Sequence, residues 1–181
     1  TSLGGQSACV DTHATVTCRE ITDLALASVT ARLGHEAACR AHLKDLLGAE
    51  APDPGKSVMG DPETAVWMGP DQWMIGAPMG THEEIDALLK ARFQDTASIV
   101  EQTDAWCGFD LTGSGLGAVM ALLCNINMNS FGSGDALRTT IHHLGCFVVC
   151  GDPDSFIRIL GPRASAGSLH HAIVAAMKSA L

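Results

Sequence analysis

Apolar and polar positions along this chain alternate between two rhythms. Runs of period two, the signature of strands, flank segments whose apolar residues recur at helical spacing. From Leu24 to Leu33 the alternation Leu24, Leu26, Val29 and Ala31 predicts a strand, which Gly34 ends. His35 to Leu47 follows as a helix with Cys39, Leu43, Leu46 and Leu47 on one side. Ala51-Pro52-Asp53-Pro54-Gly55 is a loop by composition. Strands near 64–68 and 72–77 come next. Thr81 then caps a helix, with Glu84 three residues on as its reciprocal partner and Ile85, Leu88, Leu89 and Phe93 as the buried stripe. Residues 97–103 return as a strand.

The second half repeats this order. A strand from Trp106 to Leu111 leads through a glycine-rich corner into a helix carrying Leu116, Val119, Met120 and Leu123. Asn125 to Asp135 reads as a loop, and strands follow near 137–142, 146–150 and 155–160. A last helix from Ala164 to Ala180 places Leu169, Ile173, Ala176 and Met177 together. Residues 1–14 show no periodicity and read as a loose or docking arm.

One motif ties the halves together. Val66-Trp67-Met68-Gly69-Pro70-Asp71-Gln72-Trp73-Met74-Ile75 is echoed by Val148-Val149-Cys150-Gly151-Asp152-Pro153-Asp154-Ser155-Phe156-Ile157, with Asp154 standing 83 positions after Asp71. Each reads as strand, tight turn, strand, where proline presets the turn dihedral and aspartate can close the turn through its side chain. The pattern predicts an α+β fold of two duplicated ferredoxin-like β-α-β-β-(β)-α units with antiparallel sheets, spanning about 20–104 and 105–181.

Composition narrows the function. The 181 residues are 46% hydrophobic and 17% charged, and the mean hydropathy of +0.18 is high for a solitary soluble chain. No apolar run approaches a membrane span, so the surplus suggests a partner-facing surface. A net charge of -9 with 11 Lys plus Arg argues against nucleic acid as a partner and disfavours anionic membrane surfaces. Residues 1–14 lack the basic start and apolar centre of a secretory signal. The seven cysteines (9, 18, 39, 107, 124, 146 and 150) are an odd number with no CxxC pair, which suggests reduced thiols in a cytoplasmic protein.

Candidate chemistry is sparse. Gly113-Ser114-Gly115-Leu116-Gly117-Ala118 fits the loose dinucleotide pattern G-x-G-x-x-A between a strand and a helix. The interrupted apolar strand before it and the absence of a parallel strand after it favour a tight corner built from small residues. His142-His143 in a strand would point to opposite faces, and His170-His171 on a helix diverge by about 100°. Neither pair can chelate one metal, and a site from His142, Cys146 and Cys150 would need a turn where the pattern wants a strand. Glu101 and Asp104 lie near Trp106, where a carboxylate could have a raised pKa and serve as a base. Outward placement on an alternating strand is the favoured reading. Cys107 has no positioned base in the sequence. Trp67 and Trp73 share a face across their turn, as core or as anchors for a partner.

The tryptophan turn at Val66–Ile75, together with Asp104-Ala105-Trp106-Cys107-Gly108-Phe109-Asp110-Leu111-Thr112-Gly113 and, more faintly, Arg138-Thr139 and Ser155-Phe156, resembles the gamma subunits of heterotetrameric sarcosine oxidases over about residues 15–181. That family's wider group includes the folate-binding T protein of the glycine cleavage system, whose duplicated architecture agrees with the repeat. The resemblance implies a non-catalytic structural subunit of an oxidoreductase that acts on the CH–NH group of its donor. Such a complex demethylates sarcosine to glycine, reduces oxygen to hydrogen peroxide, and yields formaldehyde or methylene-tetrahydrofolate. FAD, FMN, NAD, tetrahydrofolate and zinc would belong to alpha, beta and delta partner subunits, with alpha the main contact. No catalytic, cofactor-binding or metal-ligating residue of this chain follows from it. The K-G-C-Y-x-G-Q signature of the related iron–sulfur maturation proteins is absent, and no acidic aminomethyltransferase motif can be matched. A free-standing folate-binding or aminomethyltransferase-like protein is the alternative, with Glu101 or Asp104 reaching a pterin.

Overall fold

The computed structural model describes all 181 residues, Thr1 to Leu181. The chain forms two compact units, one from Thr1–Thr22 with Asp104–Leu181 and one from Asp23–Thr103. Every strand pairing is antiparallel.

The chain begins with β1 (Val10–His13) and β2 (Val16–Ile21), which belong to the Thr1–Thr22 and Asp104–Leu181 unit, and then enters the sheet of the Asp23–Thr103 unit at β3 (Ala25–Ala31). It continues with helix α1 (Glu36–Leu47), β4 (Ser57–Met59), β5 (Thr64–Gly69), β6 (Gln72–Ala77), a short helix α2 (Met79–His82), α3 (Ile85–Phe93) and β7 (Ala97–Glu101). Its five strands stand in the order β4-β5-β6-β3-β7. Cys39 and Leu43 of α1 and Ile85, Leu89 and Phe93 of α3 pack against Ala25, Ala27, Val29, Ala65, Trp73 and Ile75 of the sheet. Alternate strand positions thus meet helix positions one turn apart, which is what the two rhythms require.

The other unit carries β8 (Trp106–Gly113), α4 (Leu116–Leu123), β9 (Ala136–Ile141), β10 (Leu144–Asp152), β11 (Phe156–Pro162) and α5 (Ala166–Ala180). Its six strands run β1-β2-β8-β11-β10-β9. Leu116, Val119, Met120 and Leu123 of α4 and Leu169, Ile173, Ala176 and Met177 of α5 bury a core with Val16, Cys18, Phe109, Leu111, Cys146, Val148, Cys150, Ile157 and Ile159.

Laid side by side, the two topologies correspond. Strands β3, β4, β5 and β6 follow one another as β8, β9, β10 and β11 do, with a helix after the first and another after the last. The place beside β3 that β7 fills is filled beside β8 by β2, a strand from the opposite end of the chain. The duplicated ferredoxin-like α+β class follows directly from this order. Residues 1–14 are more than an arm, since β1 pairs with β2 from Val10 opposite Arg19 to His13 opposite Val16.

Local devices differ from the sequence reading in instructive ways. The β5–β6 turn does contain Pro70-Asp71, with Asp71 in the left-handed region (φ 51°). Its carboxylate, however, faces Arg40 (3.6 Å) rather than closing the turn. In the β10–β11 turn the closing carboxylate is Asp152, which accepts from the Asp154 amide (3.0 Å) and the Ser155 hydroxyl (2.8 Å). That is an aspartate folding the backbone two residues on. No capping box forms at Thr81, whose hydroxyl donates to the Pro78 carbonyl oxygen instead (3.3 Å). Helix α3 starts three residues later than a Thr81 cap requires, so Ile85, Leu89 and Phe93 are buried while Leu88 is half exposed.

Across β8 and β11, Arg158 grips Asp110 with two charge-assisted hydrogen bonds, Nε to Oδ1 at 2.7 Å and a second terminal nitrogen to Oδ2 at 2.9 Å. Both side chains are only about one-fifth exposed (18% and 20%). An Asp110→Asn variant keeps the shape but loses the charge, and should cost about 1–2 kcal/mol in urea unfolding. An unchanged urea midpoint would show the pair to be idle.

Most of the apolar surplus goes into these interiors. The large apolar side chains left exposed include Val10, Leu33, Leu88, Val100, Leu122 and Leu137, spread over both units. No helix is long and apolar enough to cross a membrane.

Candidate functional site

The first candidate, the glycine-rich corner, is closed by the chain itself. Gly113 (φ 113°) and Gly115 (φ 96°) both need the left-handed region, and Gly115 precedes the first turn of α4. A Cβ on Gly113 would lie 1.9 Å from the Thr15 carbonyl oxygen, and one on Gly115 would lie 2.9 Å from Leu181. The Thr15 hydroxyl donates to the Ser114 carbonyl oxygen at 2.6 Å. The space a pyrophosphate would need is thus taken by the loop between β1 and β2, and β8 runs antiparallel to both neighbours. The glycines serve close packing.

His142-His143 do not lie in a strand. They form the two-residue turn between β9 and β10, both with positive φ (48° and 67°). A mirror-image turn of this kind matches the right-handed strand twist and usually recruits Asn or Gly. Cys146 and Cys150 lie inside on β10, their thiols pushed up to about 11 mainly by burial. Glu101 and Asp104 are exposed. Glu101 accepts from the Thr103 amide (2.5 Å), Asp104 is 90% exposed near Arg163 (3.9 Å), and Trp106 packs on Phe147 (5.4 Å between rings). Cys107 is buried and donates to the Gly161 carbonyl oxygen at 3.4 Å, with burial again raising its pKa. Trp73 is fully buried, sits directly opposite Trp67, and donates its indole N–H to the Pro52 carbonyl oxygen (2.9 Å). Arg40 lies over its ring at 5.0 Å. The tryptophans belong to the core.

A different constellation assembles in a stretch that carries no periodic signal. Cys9 immediately precedes β1 and Asp11 is two residues on, so in extended chain their side chains leave on the same side. There they meet His170 of α5. The His170 Nε2 lies 2.8 Å from Asp11 Oδ2, the Cys9 thiol donates to the same oxygen at 3.3 Å, and Cys9 Sγ is 3.8 Å from His170 Nε2. Phe109 stacks on the imidazole, centroids 5.7 Å apart and planes 29° from parallel. The hydrogen bond from His170 holds Asp11 below the usual carboxylate range, against the opposing effect of burial. Cys9 is pushed the other way by burial, by its bond to Asp11, and by the charges of Asp11 and Glu20. The thiol is therefore no activated nucleophile, whatever its resemblance to a Cys-His-Asp set. What the three atoms offer is a mixed sulfur, nitrogen and oxygen donor set.

Glu20 braces this corner from within. Its carboxylate is 1% exposed and accepts from the Ser2 hydroxyl (2.7 Å), the Leu3 amide (3.0 Å) and the Cys9 amide (3.1 Å). The two histidine pairs of the sequence are thus taken apart. His170 turns to Asp11, while His171 and His142 line one shallow groove with Leu122 and Ala175. In the other unit, a cavity of about 450 Å³ is walled by Leu46, Ile75, Ile85 and Leu89, with His82 Nε2 3.6 Å from Glu63 Oε1 at its edge.

Comparison with solved structures adds the architecture's relatives. A chain of the heterotetrameric sarcosine oxidase from Corynebacterium sp. U-96, solved with pyrrole 2-carboxylate, superposes with a TM-score of 0.75 at 20% identity, covering 91% of this chain and 84% of that one. The glycine cleavage system aminomethyltransferase T from Bartonella henselae superposes at 0.61 and 14% identity, over 86% of this chain and 44% of that one. This chain has their fold. It spans less than half the length of the aminomethyltransferase but nearly the whole of the sarcosine oxidase chain. No family model matches the sequence, and no curated protein matches it. The tryptophan turn and the Asp104–Gly113 segment, which resemble the sarcosine oxidase gamma subunits, lie within this shared fold.

Proposed function

We propose that the chain is a structural, non-catalytic subunit of a heterotetrameric sarcosine-oxidase-like complex. The observation that carries this reading is mutual coverage. A sarcosine oxidase chain and this one account for nearly all of each other's length in one fold, whereas the aminomethyltransferase needs as much chain again. In this reading, alpha, beta and delta companions hold the flavins, NAD, tetrahydrofolate and zinc of the catalytic cycle. Oxidation of sarcosine to glycine takes place on them, and this chain supports alpha in the cytoplasm. The cysteines here are consistent with a supporting role, since those in both cores have thiols raised by burial rather than lowered toward thiolates.

Co-expression with the alpha, beta and delta chains should bring this chain through purification in equal proportion with them, and omitting it should lower the yield of soluble alpha. A monomer indifferent to those partners would refute the assignment. If that monomer also melted higher with tetrahydrofolate, the free-standing folate-binding alternative would take its place.

A further inference from the structure

We propose that Cys9, Asp11 and His170 bind one zinc ion, with the fourth position open to water or to a donor from a companion chain. Tetrahedral zinc holds thiolate sulfur at about 2.3 Å and imidazole nitrogen or carboxylate oxygen at about 2.0–2.2 Å, which puts neighbouring donors roughly 3.3–3.6 Å apart. The three donor atoms already stand 3.3, 3.8 and 2.8 Å from one another. Only the Asp11–His170 edge must open by about half an ångström, and it is now drawn tight by a hydrogen bond that a metal would replace. The donor types suit zinc better than calcium or magnesium, which take oxygen alone.

The surroundings are those of a supported site. Phe109 fixes the imidazole plane, and Glu20 holds the backbone amide of Cys9, so two of the three ligands are oriented by neighbours. Asp11, Glu20 and a Cys9 thiolate would together give the corner negative charge, with Lys178 the nearby cation that acts on Asp11. Asp11 is 39% and His170 22% exposed at the side chain, enough for an ion to enter and a fourth ligand to reach it. On binding, the Cys9 S–H bond breaks and its proton leaves to solvent. His170 also releases to solvent the Nε2 hydrogen it now shares with Asp11 and carries its ring hydrogen on Nδ1, so that Nε2 presents a lone pair. Affinity should accordingly rise with pH.

The test uses the untagged, metal-stripped chain and is independent of any companion subunit, so it can fail while the subunit reading stands, or the reverse. Cobalt(II) serves as the spectroscopic probe. The expected result is a thiolate-to-cobalt charge-transfer band with the visible bands of a tetrahedral centre, saturating at one ion per chain and displaced by zinc. Cys9→Ser should abolish the charge-transfer band although the other six cysteines remain, and His170→Ala should weaken zinc binding on the order of a hundredfold or more. Circular dichroism confirms that each variant is folded. A wild-type chain giving only the pale spectrum of six-coordinate cobalt would overturn the proposal without recourse to any variant. So would a charge-transfer band that survives in folded Cys9→Ser.

Discussion

Gly113→Ala is expected to destabilise the protein by about 3–5 kcal/mol, lowering its melting temperature on the order of 10 °C. Two costs add at one position. The residue sits at φ 113°, where a Cβ is strained whatever its surroundings, and that Cβ would lie 1.9 Å from the Thr15 carbonyl oxygen. Backbone on one side and backbone on the other leave no flexible side chain to yield. Since Thr15 joins β1 to β2 while Gly113 ends β8, relief would have to come from prising β2 off β8, where Val16 pairs with Gly113. Gly117→Ala in the same motif is the control. Nothing lies within 4 Å of its Cβ, and its position inside α4 favours alanine by up to about 1 kcal/mol. Thermal unfolding of the two variants decides whether the pattern G-x-G-x-x-A exists here for packing. Equal melting temperatures would remove that explanation.

The corner shows how a motif can be legible while its purpose is not. The sequence displays small residues between strand and helix. It does not display Thr15, 98 positions earlier, lying against them. Much of the scaffold was legible for the opposite reason, that its signals are local. The stripes on α1, α4 and α5 emerge intact, and so do β5, β6 and the second hairpin, because burial against a single layer imposes one period on each. Where a strand's inward face carries something other than an apolar group, the pattern fails. In β2, Val16 and Cys18 point into the core and Thr17 and Arg19 outward, but Glu20 occupies the third inward position and disguises the run. His142-His143 misled differently, since histidine is an unusual choice for two consecutive left-handed residues and the alternation continues smoothly on either side.

The Cys9–Asp11–His170 cluster was hidden by both effects. Cys9 and Asp11 lie in a stretch without periodicity, and the only partner the sequence shows beside His170 is His171. Spacing two apart on a strand is visible once β1 is recognised, but the helix that completes the set lies 159 residues beyond Asp11. Antiparallel pairing of β1 with β2, and of β2 with β8, is what carries the N-terminal segment to α5. The same topological substitution that puts β2 in the place of β7 therefore creates the one donor cluster of mixed type in this unit. The Asp23–Thr103 unit has no counterpart to it, and its own edge strand β7 ends in exposed Glu101.

Glu20→Ala should cost about 3 kcal/mol and free the residues ahead of β1, seen as faster amide exchange and proteolysis within residues 1–9. Burial alone would raise the Glu20 pKa, but the bonds from Ser2, Cys9 and Leu3 together outweigh it and hold the group below the usual glutamate range. A carboxylate depressed in the folded state contributes stability above its unfolded pKa of about 4.3, and loses that contribution as pH falls through the lower folded value. Wild-type stability should therefore decline below about pH 4.3 more steeply than that of Glu20→Gln, which has no proton to take up. Asp11, Asp86 and Asp152 are depressed as well and will titrate in both proteins, so the difference between the two curves isolates Glu20. Parallel curves would mean that the carboxylate's charge does nothing for the fold. Glu20 would then be holding the corner by shape, with a single acceptor oxygen able to do the work of two.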